Sequence, residues 1–239
     1  MSYKYEIHVH TAESSMCGVA TAVEQVHLYK ERGYQGMIVT DHFINSSSTC
    51  FVKFDWENTA FDWEEAMKFV VAGYNAAKEE GDKIGFDVFF GWEFMVKGTG
   101  TDLLTYGLEP DFLLKNPYMH TLDLADYSEL IRSNGGFITQ AHPYRNRGYI
   151  KQVGPVDAQY VDAIEVYNAA DPDETNVLAL EFAKEHNLPM QAGSDSHHVD
   201  IPFASGIILD TRATSSMDII NAIKNETAQL ILPEKGENE

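Results

Sequence analysis

Nine positions in this 239-residue chain carry side chains that divalent metal ions take as ligands, and most fall in short packets. The packets are Ile7-His8-Val9-His10-Thr11, Thr40-Asp41-His42, Gly91-Trp92-Glu93, Ala141-His142-Pro143 and Gly193-Ser194-Asp195-Ser196-His197, with Glu13 and Asp102 standing between them. Imidazole nitrogen and carboxylate oxygen together suit Zn²⁺, Mn²⁺ or Fe²⁺. The His8-Val9-His10 spacing puts both imidazoles on one side of a strand and Val9 on the other, and Asp195-Ser196-His197 repeats that arrangement. A single pair of this kind arises often by chance, and a His-Pro such as His142-Pro143 can simply cap a turn. Five such packets in one chain argue for a shared cluster. Clustered divalent ions lower the pKa of water toward ~7 and neutralise phosphoryl oxygens, so a phosphate ester could be hydrolysed without a protein nucleophile. No Gly-x-Ser-x-Gly elbow surrounds Ser194, and no phosphate-cradling P-loop is present.

In order and in residue type the packets resemble the PHP superfamily (named for polymerase and histidinol phosphatase), whose members are metal-dependent phosphoesterases. That pattern runs His-x-His-Thr, Thr-Asp-His, Gly-x-Glu, Ala-His-Pro and Gly-Ser-Asp-x-His, and all five stand here between residues 7 and 197. The resemblance implies a distorted (β/α)7 TIM-like barrel and two to three divalent ions (Mn, Fe or Zn). It implies that His8 and His10 share one ion with Glu93 and Asp195, that Glu93 bridges to a second held by Asp102 and His142, and that Glu13, His42 and His197 hold the third. Two places depart from the pattern. The loop after His10-Thr11 usually offers Asp or His, and here Glu13 is its only carboxylate; Cys17, a soft ligand that would suit zinc, is expected instead to be a buried turn residue. About ten residues after Glu93 the family often has histidine, and this chain has Asp102, which tilts that place toward Mn²⁺ or Fe²⁺ over Zn²⁺. The bland alternative for Asp102 is a turn cap near Gly98–Thr101.

Other basic side chains divide more simply. Arg145 follows His142 by three residues, and its planar fork is expected to grip a substrate phosphate, the alternative being a salt bridge at the rim. His27, His120 and His186 read as structural, and His198 heads away from its neighbour His197.

To bring the packets together the chain must fold so that strand ends converge, as on the C-terminal face of an α/β barrel. The pattern predicts strands at Tyr5–Thr11, Gly36–Asp41, Val88–Phe94, Leu103–Leu108, Phe137–Ala141, Ala163–Tyr167, Met190–Gly193 and Gly206–Leu209. Helices are expected at Ala22–Arg32, around Phe61–Glu80 with Gly81 as the stop, and at Asp123–Ser133, Glu174–His186 and Met217–Lys224. This alternation argues for a parallel barrel, although periodicity alone does not separate seven strands from eight or from an open doubly wound sheet, with residues 1–233 a single domain and 234–239 a polar tail.

Composition bounds the partners. The net charge is −20, from 37 acidic against 17 basic residues, which repels a long nucleic-acid backbone. No apolar run approaches membrane-spanning length. Cys17 and Cys50 form no disulfide framework, and His8 already stands where a secretory leader would lie, so a reducing cytoplasm is the expected home. The expected activity is hydrolysis of a small phosphorylated metabolite or nucleotide by a metal-activated water, with Glu93 as the bridging carboxylate. The alternatives are a histidinol-phosphate phosphatase, and a non-catalytic metal-binding module.

Overall fold

The computed structural model describes residues 2–58 and 60–233; the expected polar tail at 234–239 lies outside the described residues. Among them nine strands form one sheet: β1 (Tyr3–Val9), β2 (Gly36–Val39), β3 (Asp87–Met95), β4 (Asp102–Tyr106), β5 (Phe137–Gln140), β6 (Ala163–Asn168), β7 (Met190–Gly193), β8 (Gly206–Leu209) and β9 (Gln229–Ile231). The order across the sheet is β7-β6-β5-β4-β3-β2-β1-β8-β9. The upper end of β1 also meets the residues after β7, through a parallel bridge from Val9 to Ser196 and the hydrogen bond from His10 N to Ser196 O (2.9 Å). Strands β1 to β7 thus curl into a nearly closed barrel, and β8 and β9 extend the sheet from the lower half of β1, where Tyr3, Lys4 and Tyr5 pair with Leu209, Ile208 and Ile207.

The barrel is not all parallel, as strand-helix alternation suggested. β4 runs antiparallel to both β3 and β5. Only residues 96–101 join β3 to β4, too few for the crossover that a parallel pair needs, so the chain must turn back as a hairpin. The reversal matters for the site. It puts the first residue of β4, Asp102, beside Met95 at the C-terminal end of β3, and Ala141 N at the end of β5 donates to Asp102 O (3.0 Å).

Among the described residues seven α-helices accompany the sheet: α1 (Ala22–Glu31), α2 (Trp63–Val70), α3 (Ala72–Ile84), α4 (Pro110–Lys115), α5 (Leu124–Ser133), α6 (Asp173–Glu185) and α7 (Ser216–Lys224). Their starts follow local chemistry. Thr21 and Glu24 form a capping box on α1, and Asp123 accepts from Asp126 N to cap α5. The expected long helix around Phe61–Glu80 is two helices broken at Val71. Ser14, from the loop after β1, enters that break: its Oγ donates to Phe69 O (2.7 Å) and accepts from Gly73 N (2.9 Å). Nor does Gly81 stop the helix. It lies inside α3, where a Cβ would come within 2.6 Å of Phe86 O, and Gly85 at φ 71° ends it. The short α4 and the edge strand β9 carry too little periodicity to announce themselves in the sequence.

Beneath the mouth of the barrel a chain of buried hydrogen bonds ties strands together. Thr139 Oγ1 donates to Gln191 Oε1 (2.8 Å), Gln191 Nε2 to Tyr106 Oη (2.9 Å), and Tyr106 Oη to Ile7 O (2.8 Å). Every buried donor along this path finds an acceptor, so the floor under β1 is held firmly.

Candidate metal centre

β1 delivers the first two histidines through a bulge. Its register slips between Glu6 and Val9, and the buried Glu6 carboxylate accepts from Ile7 N (2.9 Å), His8 N (2.8 Å) and Ser194 N (3.0 Å). Burial pushes the Glu6 carboxyl up to about 7 in spite of these donors. One side chain therefore fixes both β1 and the turn that carries Asp195. Ser194 Oγ is also held by Glu6 and accepts from Ser205 N (2.8 Å), so Ser194 is a structural tie. His142 (φ 29°) and Asp195 (φ 50°) both sit in left-handed backbone, a strained conformation for non-glycine residues that clusters at functional sites.

His8, His10, His42, Glu93, Asp102, His142 and Asp195 are buried together at the barrel mouth, and His197 is half-buried at its edge. Three overlapping trios have ligand atoms within 4.8 Å of one another: His8, Glu93 and His142; His8, His10 and Asp195; and His10, His42 and His197. In the last trio the rings of His42 and His197 flank that of His10 at centroid distances of 4.4 Å and 4.3 Å.

Hydrogen bonds set which nitrogen each histidine presents. His8 Nδ1–H donates to Glu165 Oε1 (2.8 Å). Ser15 Oγ gives its only hydrogen to Asp41 Oδ1 (2.7 Å), so at 3.3 Å it accepts from His10 Nδ1–H. His197 Nδ1–H donates to the Asp195 carbonyl (3.0 Å). In the neutral ring each of these bonds leaves Nε2 as the lone pair, the form that binds a cation in place of a proton. His8 Nε2, His10 Nε2, His42 Nδ1 and Asp102 Oδ1 are buried with no hydrogen-bond partner. His42 Nδ1 does lie 2.9 Å from Glu93 Oε2, an ion-pair distance without hydrogen-bond alignment. Unpartnered nitrogen and oxygen donors converging this closely fit divalent metal.

The electrostatics follow from the neighbours. Burial works against the charged form of His8, but Glu165, Asp195 and Glu93 around it hold its pKa well above the usual histidine range. His10 goes the other way, since burial and the adjacent His197 and His42 keep it well below. Burial would raise Glu93 and Asp195. His42 and His8 beside Glu93, and Arg145 and His8 beside Asp195, instead hold both carboxyls well below their usual range. Burial and the charge of Glu93 push Asp102 up to about 7.

Two expected roles need correction. Glu13 is not brought to the cluster: both its oxygens accept from Ala22 N, at 3.2 Å and 2.9 Å, at the start of α1, where a helix N-terminus favours a carboxylate. Arg145 is already engaged. Its Nε donates to Asp171 Oδ1 (2.7 Å) and its Nη2 to Asp195 Oδ2 (2.6 Å), so of the two readings of this arginine the salt bridge is the one the structure contains. That contact turns Asp195 Oδ1 toward His10 Nε2 (3.2 Å) and His8 Nε2 (3.4 Å).

Cys17, expected in a buried turn, is solvent-accessible and borders the cavity with His42 and His197. Desolvation raises its thiol, but the His197 and His42 rings beside it outweigh that and bring it to about 6. Glu165 went unread in the sequence, although a carboxylate inside the apolar run Ala163–Val166 was a usable signal; its Oε2 accepts from His142 N (3.0 Å) and Asn168 Nδ2 (2.9 Å). Gly73 left no signal. Asp102, His142 and His197 line a cavity of ≈ 170 Å³ above Glu93. It adjoins a groove of ≈ 390 Å³ that carries Trp56, Tyr149, Lys97 and Lys151.

Comparison with known proteins agrees with this architecture. The PHP-associated family model matches residues 173–201, a stretch that includes the Asp195 and His197 packet. An uncharacterised protein of Methanocaldococcus jannaschii is 27% identical over 123 residues, which span 46% of this chain and 52% of that protein, so the match spans about half of the relative's length. A two-domain Bacteroides vulgatus protein, described as containing a predicted PHP-like metal-dependent phosphoesterase, superposes with a TM-score of 0.69 at 15% identity, over 97% of this chain and 65% of its own. A lesion-specific endonuclease from Pyrococcus furiosus superposes with a TM-score of 0.59 at 14% identity, over 97% of this chain and 58% of its own. At such identities the superpositions speak for the fold. The five motifs stand in order on a fold shared with a protein described as PHP-like, and the PHP-associated model matches at the last of them, so in both sequence pattern and fold the chain is similar to the PHP superfamily.

Proposed function

We propose that this protein is a metal-dependent hydrolase of phosphate esters, acting on a small phosphorylated metabolite or nucleotide. One observation supports the reading: three ligand trios, linked to one another through His8 and His10, overlap at one barrel mouth, with four buried donor atoms unpartnered. His8, His10, Glu93 and Asp195 would hold one divalent ion, Glu93, Asp102 and His142 a second, and His42 and His197 a third. Bound there, such ions supply a hydroxide nucleophile at neutral pH and charge neutralisation for the phosphoryl group.

The chain's own residues prepare that chemistry. Glu165 fixes the tautomer of His8, Ser15 that of His10, and Arg145 the rotamer of Asp195. Glu93 has one oxygen near His142 Nε2 (3.1 Å) and the other near His42 Nδ1 (2.9 Å), and would help hold more than one ion. The neighbouring groove offers aromatic faces in Trp56 and Tyr149 and ammonium groups in Lys97 and Lys151. Such a lining suits the planar and anionic parts of a nucleotide-sized substrate. The charge of −20 supports a small substrate over a long nucleic acid.

The test is metal analysis of the purified protein, followed by assays with Mn²⁺, Zn²⁺ and Fe²⁺. The substrates are a panel of phosphomonoesters, phosphodiesters and, given the endonuclease neighbour, short oligonucleotides. Phosphate release that chelation abolishes and Mn²⁺ or a similar ion restores is expected. A metal-replete protein that hydrolyses none of them would overturn the proposal.

A further inference from the structure

Glu13 is turned away to Ala22 N, and this leaves the trio of His10, His42 and His197 without the loop carboxylate expected of it. The same loop supplies a different donor. Met16 N donates to Ser47 O (2.8 Å), Gly18 N to Ser15 O (2.9 Å) and Val19 N to His197 O (2.8 Å), so the residues on either side of Cys17 are tied down around it. Gly18 is constrained further, since a Cβ there would lie 2.7 Å from Thr11 O. So held, Cys17 borders the cavity together with His42 and His197. Two donors of the trio, His10 Nε2 and His42 Nδ1, are buried and without hydrogen-bond partners.

We infer that Cys17 is a protein ligand of the ion held by His10, His42 and His197, and that its thiolate makes this subsite select a soft or borderline cation, zinc or iron(II), over manganese. The inference rests on the proposal that the cluster binds metal. A thiolate neutralises one of the two charges of the ion, as the missing carboxylate would have done, and binds by loss of its proton to solvent. The centre is then chemically divided, with a hard carboxylate end at Asp102 and a soft end at Cys17. The other cysteine has no such part: Cys50 is buried and its thiol donates to Ala66 O (3.2 Å).

The experiment loads the full-length protein with Co²⁺ and, separately, with Zn²⁺. The cobalt protein is read for a near-ultraviolet thiolate-to-metal charge-transfer band, and the zinc protein for metal per chain. The band is expected in the wild type and in Cys50→Ala, and its loss is expected in Cys17→Ser, with one fewer zinc retained after dialysis. X-ray absorption of the zinc protein should show sulfur at about 2.3 Å beside the nitrogen and oxygen shell at about 2.0–2.2 Å. A wild-type protein that fills with cobalt and zinc but shows no charge-transfer band and no sulfur shell overturns the role of Cys17 and leaves the metal proposal intact. Failure to retain any metal overturns both. A Cys17→Ser protein that keeps the band also overturns it.

Discussion

Glu165 Oε1 accepts from His8 Nδ1–H at 2.8 Å while its Oε2 accepts from the backbone N–H of His142 at 3.0 Å, so one carboxylate from β6 sets the orientation of two cluster residues from β1 and the end of β5. Carboxylate behind a histidine fixes its tautomer and raises the basicity of the nitrogen facing the ion, and losing such a partner typically costs 10–100-fold in metal affinity. Glu165→Gln keeps the shape but no longer anchors a single tautomer. It is expected to weaken binding of the tightest ion by about that factor, with melting temperature little changed in the metal-free protein. Competition titration against a chromophoric chelator measures this, and an unchanged affinity would show that Glu165 only shapes the strand.

Asp102 separates two readings at the opposite side of the centre. Its carboxylate is buried, Oδ1 has no hydrogen-bond partner, and Oδ2 lies 4.0 Å from His142 Nε2. A turn cap would have its oxygens on backbone N–H groups; in this turn Thr101 N donates to Thr99 Oγ1 (3.0 Å) instead. Asp102→Ala is expected to lose one metal ion per chain and most of the activity, while the ion at His8 and His10 stays. Elemental analysis of the variant after dialysis checks it, and full metal content would return Asp102 to a structural role.

Much of this centre was legible because it is local. His8-Val9-His10 and Asp195-Ser196-His197 depend on strand geometry over three residues, and a strand end is marked by the apolar run before it. What sequence could not supply is the orientation of side chains set from far along the chain. Glu13 and Cys17 stand four residues apart in one loop, and only the docking of that loop against α1 and His197 decides which of them faces the cluster. Arg145 read plausibly as a phosphate grip until Asp171, 26 residues on, was found holding its Nε. The antiparallel β4 was foreseeable from its short connection to β3, yet alternation along the rest of the chain pointed to a parallel barrel. Gly73 has no signature at all, since what requires it is Thr11 and Asp41 lying close to α3.

On the proposed function, Arg145 would act on a bound ion through Asp195. Arg145→Lys keeps the charge but not the planar fork that reaches Asp171 and Asp195 together. Metal affinity is expected to fall about tenfold or more, in the range seen for outer-shell partners, while KM for a phosphomonoester changes less than kcat. A large rise in KM at constant metal affinity would restore the direct phosphate contact.

Gly73 tests how tightly the N-terminal loop is seated. A Cβ at this position would fall 2.0 Å from Thr11 Oγ1 and 2.4 Å from Asp41 Oδ2. Asp41 also accepts from Thr11 N (2.7 Å) and from Ser15, which positions His10. Gly73→Ala is expected to destabilise the fold by about 1–3 kcal/mol through overpacking, although alanine is the better helix former. Denaturant unfolding gives the value, and a stabilised variant would mean that the loop yields freely.

Burial of His120 is expected to give the protein a pH dependence away from the candidate metal centre. Its ring stacks on Trp63 (5.7 Å between centroids) and lies 5.7 Å from Phe61, and neither ring nitrogen finds a side-chain or backbone partner of good geometry. Burial lowers its pKa to about 4, against 6.5 for the free side chain. Below 6.5 the unfolded chain takes up a proton that the folded chain accepts only near 4, so the unfolded state binds more protons in that window. The stability contributed by neutral His120 is then fully present above pH 6.5 and is lost as the pH falls toward 4. His120→Phe preserves the ring stack and removes the titration. Between pH 7 and pH 5 the wild type should lose on the order of 1 kcal/mol more stability than the variant. Denaturant melts of the metal-free proteins at both pH values provide the comparison. Equal losses in the two proteins would mean that His120 titrates alike in the folded and unfolded chains, and a greater loss in the variant would reverse the sign assigned here.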